Sequence, residues 1–406
     1  MATIGNAGAF LGHPHLQNMK MSIVMPCLNE HETVGICVDK AVRTLRDHGI
    51  DGEVIVADNG STDGSIEIAR SKGARVVPVA DKGYGAALMG GFEAAQGEYI
   101  LMGDADDSYD FTQAPRFLAK LEEGYDLVQG CRLPSGGGIV MKNAMPFLHR
   151  WVGNPGLTWL ARTMFGIPIH DIYCGMRGFS RTMQAGLQQR CTGMEFATEM
   201  IIKSTLFGHR IGEVPITLHP DGRKTRRPHL RTFRDGWRTL RFFLLFSPRW
   251  VFRFPATALL GLGTLGYLLA LSGLSLGGIK LNVQTLLASS IAIYVGMQSM
   301  FLGMFARTYA EREGLLPTHH GMTKLAGWLQ LERFIVLGLL GMTLGTALMG
   351  VETYHWYRGG FGHLDLNETG RIFVPGASLF LFGVSLILNG FCLSVLTLST
   401  RKPKAG

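Results

Sequence analysis

The chain has 406 residues and a formal net charge of +8, and 47% of its residues are hydrophobic. This length allows two or three domains. The six cysteines contain no CxxC pair and are too sparse for a disulfide framework, which indicates free thiols in a reducing compartment. Residues 1–20 lack the basic start and apolar run of a signal peptide, so we expect a disordered lead.

The charges divide the chain into two halves. Most acidic residues lie before residue 250, and from about Pro255 onward long apolar runs carry few charges. Basic residues concentrate between Arg223 and Arg253, directly before an apolar run. A basic block in this position suits an anionic membrane surface better than nucleic acid. We therefore expect membrane lipids as partners and no nucleic acid.

The first half alternates short apolar runs with amphipathic segments. The sequence predicts strands at residues 21–25, 53–57, 74–79 and 98–102, and helices at residues 33–48, 65–72 and 85–96. Strands that alternate with helices form a parallel sheet with helices on both faces, so the predicted fold class is α/β.

Three of the predicted strands end in polar clusters, at residues 26–30, 58–63 and 104–107. In parallel α/β sheets, ligands bind beyond the carboxyl ends of the strands. We therefore expect the three clusters to open onto one crevice.

The last cluster carries the strongest chemical signal. Asp104 and Asp106 are two residues apart, so their side chains point to the same side of an extended chain. Two carboxylates this close repel each other unless a cation lies between them, and oxygen ligands suit Mg²⁺ or Mn²⁺. The alternative is an acidic turn in which Asp107 or Ser108 caps the next helix.

Three segments of the first half resemble family 2 glycosyltransferases of the GT-A fold, a Rossmann-like α/β fold. They are IVMPCLNE at residues 23–30, VADNGSTD at residues 56–63, and DAD at residues 104–106. The resemblance implies that Asp58 contacts the base of a nucleotide-sugar, and that Asp104 and Asp106 hold Mg²⁺ or Mn²⁺ on its diphosphate. It also implies a nucleotide pocket lined by Pro26, Leu28 and Glu30.

Two further positions bear on this pocket. Asn59 stands where many relatives carry a second Asp, and its amide can still form hydrogen bonds. Lys82 begins the sequence KGYG, where the family often has a glycine-rich turn. This turn either contacts phosphate or simply precedes a helix.

Later segments resemble the polyprenyl-phosphate sugar synthases, the branch of dolichyl-phosphate mannose synthase and undecaprenyl-phosphate glucosyltransferases. The segments are LVQGCR at residues 127–132, DIYCGMRGF at 171–179, EFATE at 195–199 and EVP at 213–215. The relatives often carry Gly-x-Ser-Lys after the last of these, and here Gly222, Arg223 and Lys224 stand in that place. Either basic residue could meet a phosphate, or be a solvated charge that faces the membrane.

The resemblance covers residues 21–225 and implies a cytosolic catalytic domain. We expect Asp107 to orient the sugar or the acceptor, and Arg132 and Arg177 to face phosphates. The implied reaction is the metal-dependent, inverting transfer of a single sugar from a UDP- or GDP-sugar to undecaprenyl or dolichyl phosphate. A processive or other-acceptor membrane polysaccharide glycosyltransferase and a non-catalytic scaffold are the alternatives. Processive synthases usually carry Gln-x-x-Arg-Trp, and this chain has Phe246 in place of the Gln.

Two segments have the composition of helices that lie in a membrane interface. Residues 134–168 mix bulky apolar side chains with basic ones, and Pro146 and Pro155 break the segment into short amphipathic helices. A helix that packs on the protein's own core would show similar spacing. Residues 226–254 interleave arginines with aromatic residues, as expected of basic amphipathic helices beside the membrane.

Four apolar spans follow within residues 255–400. They lie at residues 255–272, 283–305, 334–351 and 373–398, each near the roughly 20 residues that cross a bilayer. Basic residues flank the loop between the second and third spans and end the chain, so the positive-inside rule places the catalytic domain in the cytoplasm. We expect a multi-pass protein of the bacterial inner membrane or an equivalent membrane, and a homo-oligomer is left open.

Overall fold

The computed structural model describes residues 19–223, 232–273, 275–276, 279–317 and 330–398. The chain divides into two compact units, with the boundary between Phe243 and Leu244. Most of the predicted disordered lead, residues 1–18, lies outside the described residues. Residues 19 and 20 of this segment are described, and the backbone N–H of Lys20 donates to the carbonyl of Asp51 at 2.8 Å.

The first unit contains an α/β layer structure. Its strands are β1 (Met21–Cys27), β2 (Gly52–Asp58), β3 (Arg75–Pro78), β4 (Tyr99–Met102), β5 (Leu127–Cys131), β6 (Ile139–Val140), β7 (Arg177–Ser180), β8 (Ile211–Pro215) and β9 (Thr217–Leu218). Its helices are α1 (Val34–Asp47), α2 (Ser65–Ser71), α3 (Tyr84–Ala94), α4 (Ala114–Glu122), α5 (Asn154–Phe165), α6 (Arg181–Leu187), α7 (Glu195–Leu206) and α8 (Thr232–Phe246), which crosses the boundary. Short 3₁₀ turns lie at Phe111–Gln113 and Pro134–Gly136.

One sheet organises this unit, in the order β3-β2-β1-β4-β7-β5-β8. Strands β1 to β4 are mutually parallel, as are β5 and β8, whereas β7 runs antiparallel to both β4 and β5. The predicted parallel sheet of the first four strands is confirmed. The antiparallel β7 makes the whole sheet mixed. Strands β6 and β9 pair separately.

The core forms where amphipathic helices cover the sheet. Helix α1 buries Val34, Cys37, Val38, Ala41 and Leu45, which follow the three- and four-residue spacing of one helical face. They pack against β1, whose Met21, Ile23 and Met25 have no exposed surface. Because both faces of β1 are covered, nearly all of its residues are apolar.

The three predicted polar clusters leave the sheet at one edge. Cys27 at the end of β1 pairs with Asp58 at the end of β2, and Val24 of β1 pairs with Met102 at the end of β4. Since these strands are parallel, the segments after them emerge at their shared carboxyl edge. The three clusters therefore lie at the same edge of the sheet, as predicted.

The segment 134–168 is only partly helical. A π-helical turn at His149–Gly153 leads into α5, which begins with Pro155 near its first turn and ends before Gly166 in a left-handed conformation. Helix α5 buries Thr158, Ala161 and Met164 on one face. On the other face Trp159 is 66% exposed.

The second unit contains four apolar helices. They are α9 (Phe254–Ser272), α10 (Val283–Arg312), α11 (Leu331–Arg358) and α12 (Leu366–Thr397), and a small hairpin of β10 (Ser275–Leu276) and β11 (Ile279–Lys280) joins the first two. Each is long and apolar enough to cross a membrane; the first span also includes the π turn at Arg249–Arg253. At most 28% of their most apolar windows is buried within the protein. A soluble four-helix core is thereby excluded, and the predicted transmembrane region is confirmed.

Glycines let α11 and α12 pack with their backbones close together. A Cβ on Gly345 would lie 2.5 Å from the carbonyl oxygen of Gly376 and 2.6 Å from the backbone nitrogen of Phe380. Gly338 and Gly383 face each other in the same way. Small residues allow this approach where lipid removes the hydrophobic drive for helix association.

A polar seam joins α10 to α12. The amide of Gln298 donates to the hydroxyl of Ser385, and the amide of Asn389 donates to Gln298 Oε1 at 3.1 Å. The hydroxyl of Ser378 lies 2.9 Å from that of Ser290. These side chains form hydrogen bonds with one another, as polar groups away from water require.

We expect Gly345→Ala to destabilise the membrane unit, because a methyl group there overlaps two backbone atoms of α12. Overpacking of this kind typically lowers stability by about 1–3 kcal/mol. Gly350→Ala is the matched control on the same helix, since no atom lies within 4 Å of its Cβ position. The melting temperature of the purified full-length protein in detergent measures both variants. Equal melting temperatures for the two variants would contradict the close packing.

Candidate active site

The loops after β1 and β2 are tied together at the carboxyl edge of the sheet. Asn29 has a φ of 58°, and its side-chain oxygen accepts from the backbone N–H of Thr62 at 2.8 Å. The hydroxyl of Ser61 accepts from the N–H of Asn29, and that of Ser65 accepts from the N–H of Glu30, both at 2.8 Å. These bonds fix Glu30 at the floor of the crevice, where it is 8% exposed.

Asp58 and Asn59 shape the loop after β2. The Asp58 carboxylate accepts from the N–H of Gly60 at 2.9 Å and from that of Ser61 at 3.1 Å. The Asn59 amide donates to the carbonyls of Val79 and Asp81, while its oxygen accepts from the N–H of Gly83 at 2.9 Å. Both side chains are almost completely buried, so in this structure they hold the loop.

The remaining predicted pocket residues lie at the mouth of the crevice. Leu28 is 42% exposed and Pro26 is partly exposed. Lys82 is exposed, and its ammonium donates to the carbonyl of Asn59 at 2.6 Å. A cation is therefore fixed beside the loop that carries Asp58.

Asp104 is half-buried at the end of β4. Its Oδ1 accepts from the hydroxyl of Tyr84 at 2.8 Å, and a Cβ on Gly175 would lie 2.7 Å from its Oδ2, so a larger residue there would displace the carboxylate. Burial and the neighbouring Asp106 charge raise the pKa of Asp104 to about 7, although the Tyr84 hydrogen bond and the Arg223 charge act in the opposite direction.

Asp106 and Asp107 point to different partners. Asp106 Oδ1 accepts from the hydroxyl of Ser108 at 2.6 Å, and its Oδ2 lies 3.4 Å from Arg223 Nη1. Asp107 has a φ of 62°, and its Oδ1 accepts from Lys40 at 2.8 Å. Neither Asp107 nor Ser108 caps the next helical turn, because Asp110 accepts from the N–H of Thr112 instead.

Arg132 is held in a buried ion pair. Its Nε donates to Asp171 Oδ2 at 2.7 Å and its Nη2 to Asp171 Oδ1 at 2.9 Å. Its Nη1 lies 3.4 Å from the hydroxyl of Tyr109, which also accepts from the N–H of Gly175 at 2.8 Å. Asp171 therefore fixes the guanidinium and leaves Nη1 as its least engaged nitrogen.

Arg177 lies close enough to Tyr84 and Asp104 to interact with them electrostatically, but it is enclosed by protein. It has no exposed surface, and it donates to the carbonyls of Ala197 at 2.6 Å and Cys174 at 2.9 Å. Burial lowers the pKa of its guanidinium. The predicted contact with a phosphate does not fit this position, and we assign Arg177 to holding the Cys174 loop against α7.

Arg223 joins two of the predicted site residues. It donates to both oxygens of Glu30, at 2.7 and 2.6 Å, as well as approaching Asp106. Lys224 lies outside the described residues. The structure thus brings Glu30, Asp106 and Arg223 together, with Asp104 next to them, whereas Arg177 is enclosed by protein.

Sequence reasoning missed two side chains that support the acidic loop. Tyr84 lies within the KGYG turn, and Lys40 lies on α1, where it looks like an ordinary helical surface residue. Neither carries a motif signal for its role. The only hint was the placement of Tyr84 between two glycines at the start of α3.

We expect Asp104→Asn to stabilise the metal-free protein more at pH 8 than at pH 5. The folded-state pKa of about 7 exceeds the ordinary 3.8, so between these values the folded protein binds more protons than the unfolded chain. Stability then falls as pH rises through this window, and the amide removes that loss while keeping an oxygen for Tyr84. Melting temperatures in EDTA should differ by about 3 °C or more at pH 8, and by less than half as much at pH 5, where only the first part of this window has been crossed.

The control for this experiment is Asp39→Asn, since Asp39 pairs with Arg43 on the surface of α1. We expect no such pH dependence in the control. A gain for Asp104→Asn that is the same at both pH values would contradict the raised pKa.

Both halves of the chain match known protein families. Residues 22–185 match glycosyl transferase family 2, and residues 304–397 match the glycosyltransferase family 2 C-terminal transmembrane region. The low-salt glycan biosynthesis hexosyltransferase Agl6 of Haloferax volcanii is 34% identical over 381 residues, which are 93% of this chain and 89% of that protein. A dolichyl-phosphate hexose transferase of the same organism is 33% identical over 198 residues, 48% of this chain and 81% of that protein.

A solved structure is also similar. Glucosyl-3-phosphoglycerate synthase from Mycobacterium tuberculosis, in complex with Mn²⁺, uridine diphosphate and phosphoglyceric acid, matches with a TM-score of 0.43 and 22% identity over 56% of this chain and 76% of that chain. The family matches, together with the similarity to Agl6 along nearly the whole chain, confirm the predicted GT-A fold and show that this protein belongs to glycosyltransferase family 2, as a membrane-spanning glycosyltransferase.

Proposed function

We propose that the protein transfers a single hexose from a UDP- or GDP-sugar to a polyprenyl phosphate, undecaprenyl or dolichyl, with inversion at the anomeric carbon. The observation that carries this proposal is the Asp104 and Asp106 pair beside Glu30 at the carboxyl edge of the sheet, in a chain that continues into membrane spans. A relative named as a dolichyl-phosphate hexose transferase supports the acceptor class.

The carboxylates of Asp104 and Asp106 are suitable ligands for a hard divalent cation, Mg²⁺ or Mn²⁺. Within the described parts of the chain, no group of three or more His, Cys, Asp or Glu side chains is placed to hold a metal. A two-carboxylate site suits an ion that takes the rest of its shell from water and substrate phosphates. Asp104 and Asp106 would hold it, and when bound it neutralises charge on the departing diphosphate.

The chain's own residues supply position and charge. Tyr84 and Ser108 each fix one carboxylate through one oxygen. Lys82 donates to the carbonyl of Asn59 and Arg223 donates to Glu30, two residues of the predicted nucleotide pocket, and we assign both cations to the donor diphosphate. Pro26, Leu28, Asp58 and Asn59 are assigned to the nucleotide, and Lys224 stays a prediction.

The acceptor needs little activation. A phosphate monoester is mostly doubly ionised near pH 7, because its second pKa is about 6, so it is already a nucleophile. Arg132, whose Nη1 is its least engaged nitrogen, is assigned to the acceptor phosphate. Asp107 is held by Lys40 in a left-handed conformation and is assigned to the sugar or acceptor through that fixed position.

The lipid acceptor also explains the exposed aromatic face around α5. Phe147 is 76% exposed, Trp151 is 56% exposed and Trp159 is 66% exposed, and the guanidinium of Arg150 lies 5.2 Å from the Trp151 ring. Trp and basic residues favour the membrane interface. We propose that this face inserts into the cytoplasmic membrane surface.

We expect Asp106→Asn to lower transfer at least about 100-fold, the size typical of losing one charge-stabilising group. The measurement is transfer from labelled UDP- and GDP-sugars to undecaprenyl or dolichyl phosphate, with Mn²⁺ and with EDTA. Asp39→Asn on the surface of α1 should keep full activity. A variant that retained a tenth of the wild-type rate would remove Asp106 from the site.

We expect the double change Trp151→Ser with Trp159→Ser to raise KM for a lipid acceptor in vesicles by about tenfold, which equals about 1.4 kcal/mol of lost interface binding. The KM for the nucleotide-sugar should stay unchanged. Ile36→Ser, which removes an apolar side chain that is 47% exposed on α1, is the control. Equal effects on both substrates would indicate general damage instead of an interface role.

A further inference from the structure

Arg223 sits among three carboxylates at the edge of the crevice. Its Nη2 and Nε bind the two oxygens of Glu30 at 2.6 and 2.7 Å, and its Nη1 binds Asp221 at 2.8 Å. The same Nη1 lies 3.4 Å from Asp106 Oδ2. The Arg223 side chain is only 14% exposed and that of Asp106 is 16% exposed. The positive charge of Arg223 therefore lies beside Asp106.

Backbone contacts hold this arginine in place. The tether segment, residues 218–222, runs along the acidic loop: His219 N–H donates to the carbonyl of Ser108 at 3.0 Å, and Gly222 N–H donates to that of Asp106 at 2.9 Å. A Cβ on Gly222 would lie 3.0 Å from Thr33 and 3.3 Å from Asp107. Arg223 thus follows a residue that is bonded directly to the metal-binding loop.

The contacts of Arg223 differ in strength. Its bidentate pair with Glu30 has the short distances of a charge-assisted fork, whereas the approach to Asp106 is longer and uses one nitrogen. The guanidinium can therefore give up Asp106 first and keep Glu30. A divalent cation that binds Asp106 meets this positive charge a few Å away, and the two repel each other.

We propose that Arg223 is an internal counter-ion that opposes metal binding at Asp106 until a nucleoside diphosphate attracts its guanidinium. This inference rests on the proposed function and adds its regulation: the metal and the donor bind cooperatively, because the diphosphate compensates the charge that otherwise repels the metal. By linkage, the donor raises the metal affinity by the same factor as the metal raises the donor affinity.

The experiment is a titration of the full-length protein in detergent with Mn²⁺, followed by electron paramagnetic resonance, with and without UDP or GDP. In the wild type, Mn²⁺ alone should bind weakly and the matching nucleotide should tighten it. Arg223→Gln should bind Mn²⁺ alone about tenfold more tightly, since one positive charge near Asp106 is gone. The tightening by nucleotide should shrink, and transfer should fall. A residue that merely supports the fold would lower metal binding and transfer together.

Two variants keep the result interpretable. Arg223→Lys retains the charge and should bind Mn²⁺ alone like the wild type, even though it loses the fork with Glu30. Arg75→Gln removes an exposed arginine that pairs with Glu53 at the other end of the sheet, and should change neither titration. Melting temperatures confirm that each variant is folded.

The outcomes separate this inference from the proposed function. If nucleotide tightens Mn²⁺ binding but Arg223→Gln binds Mn²⁺ alone no better than the wild type, the counter-ion role is overturned and the proposed function stands. If Arg223→Lys binds Mn²⁺ as tightly as Arg223→Gln, charge is not the cause and the role is again overturned. If the wild type binds no Mn²⁺ with any nucleotide, the metal-dependent function itself is overturned.

Discussion

The structure of the site depends on placing several carboxylates close together at one edge of a sheet. Neighbouring loops at this edge carry four carboxylates: Glu30, Asp104, Asp106 and Asp107. Like charges that lie close together repel each other. Each is balanced by a different device: Arg223 pairs with Glu30, Tyr84 donates to Asp104, and Lys40 pairs with Asp107. Asp106 has the loosest charged partner, at 3.4 Å. Asp104 is bonded only to a neutral hydroxyl among these partners, so the negative charge of the site is least balanced at Asp104 and Asp106, the two residues proposed to bind the metal.

The sequence predicted the elements that local patterns determine. Strands β1 to β4 have apolar runs that end in polar turns, and parallel alternation with helices then puts those turns on one edge whatever the details of packing. The supporting contacts are not local. Tyr84 reaches Asp104 over 20 residues, Lys40 reaches Asp107 over 67, and Glu30 reaches Arg223 over 193. The packing of whole helices and strands determines which side chains meet across such separations. Residue spacing in the sequence does not predict these contacts.

Arg132 and Arg177 both belong to sequence motifs, but the sequence could not predict which of them would approach the site. Arg132 follows β5 and reaches the crevice, where Asp171 holds it. Arg177 opens β7, which runs antiparallel to its neighbours, and side chains alternate between faces along a strand. Arg177 therefore shares a face with Phe179, whose ring packs on Phe92 at 5.0 Å between the sheet and α3. An antiparallel insertion was not predicted, and without it the face of Arg177 could not be assigned.

In the membrane unit, too, composition predicts the position of the helices, whereas packing determines how they associate. Hydropathy alone located its four spans, because bilayer thickness sets a length that the sequence displays directly. How the helices associate depends instead on glycines such as Gly345 and on the seam of Gln298, Ser385 and Asn389. On the proposed function, one substrate is water-soluble and the other is confined to the bilayer. A covalent connection between the catalytic domain and the spans keeps the site within reach of the lipid substrate, which raises its effective concentration without any further contact. The catalytic domain is then left to supply affinity mainly for the soluble donor, which is where its charged side chains converge.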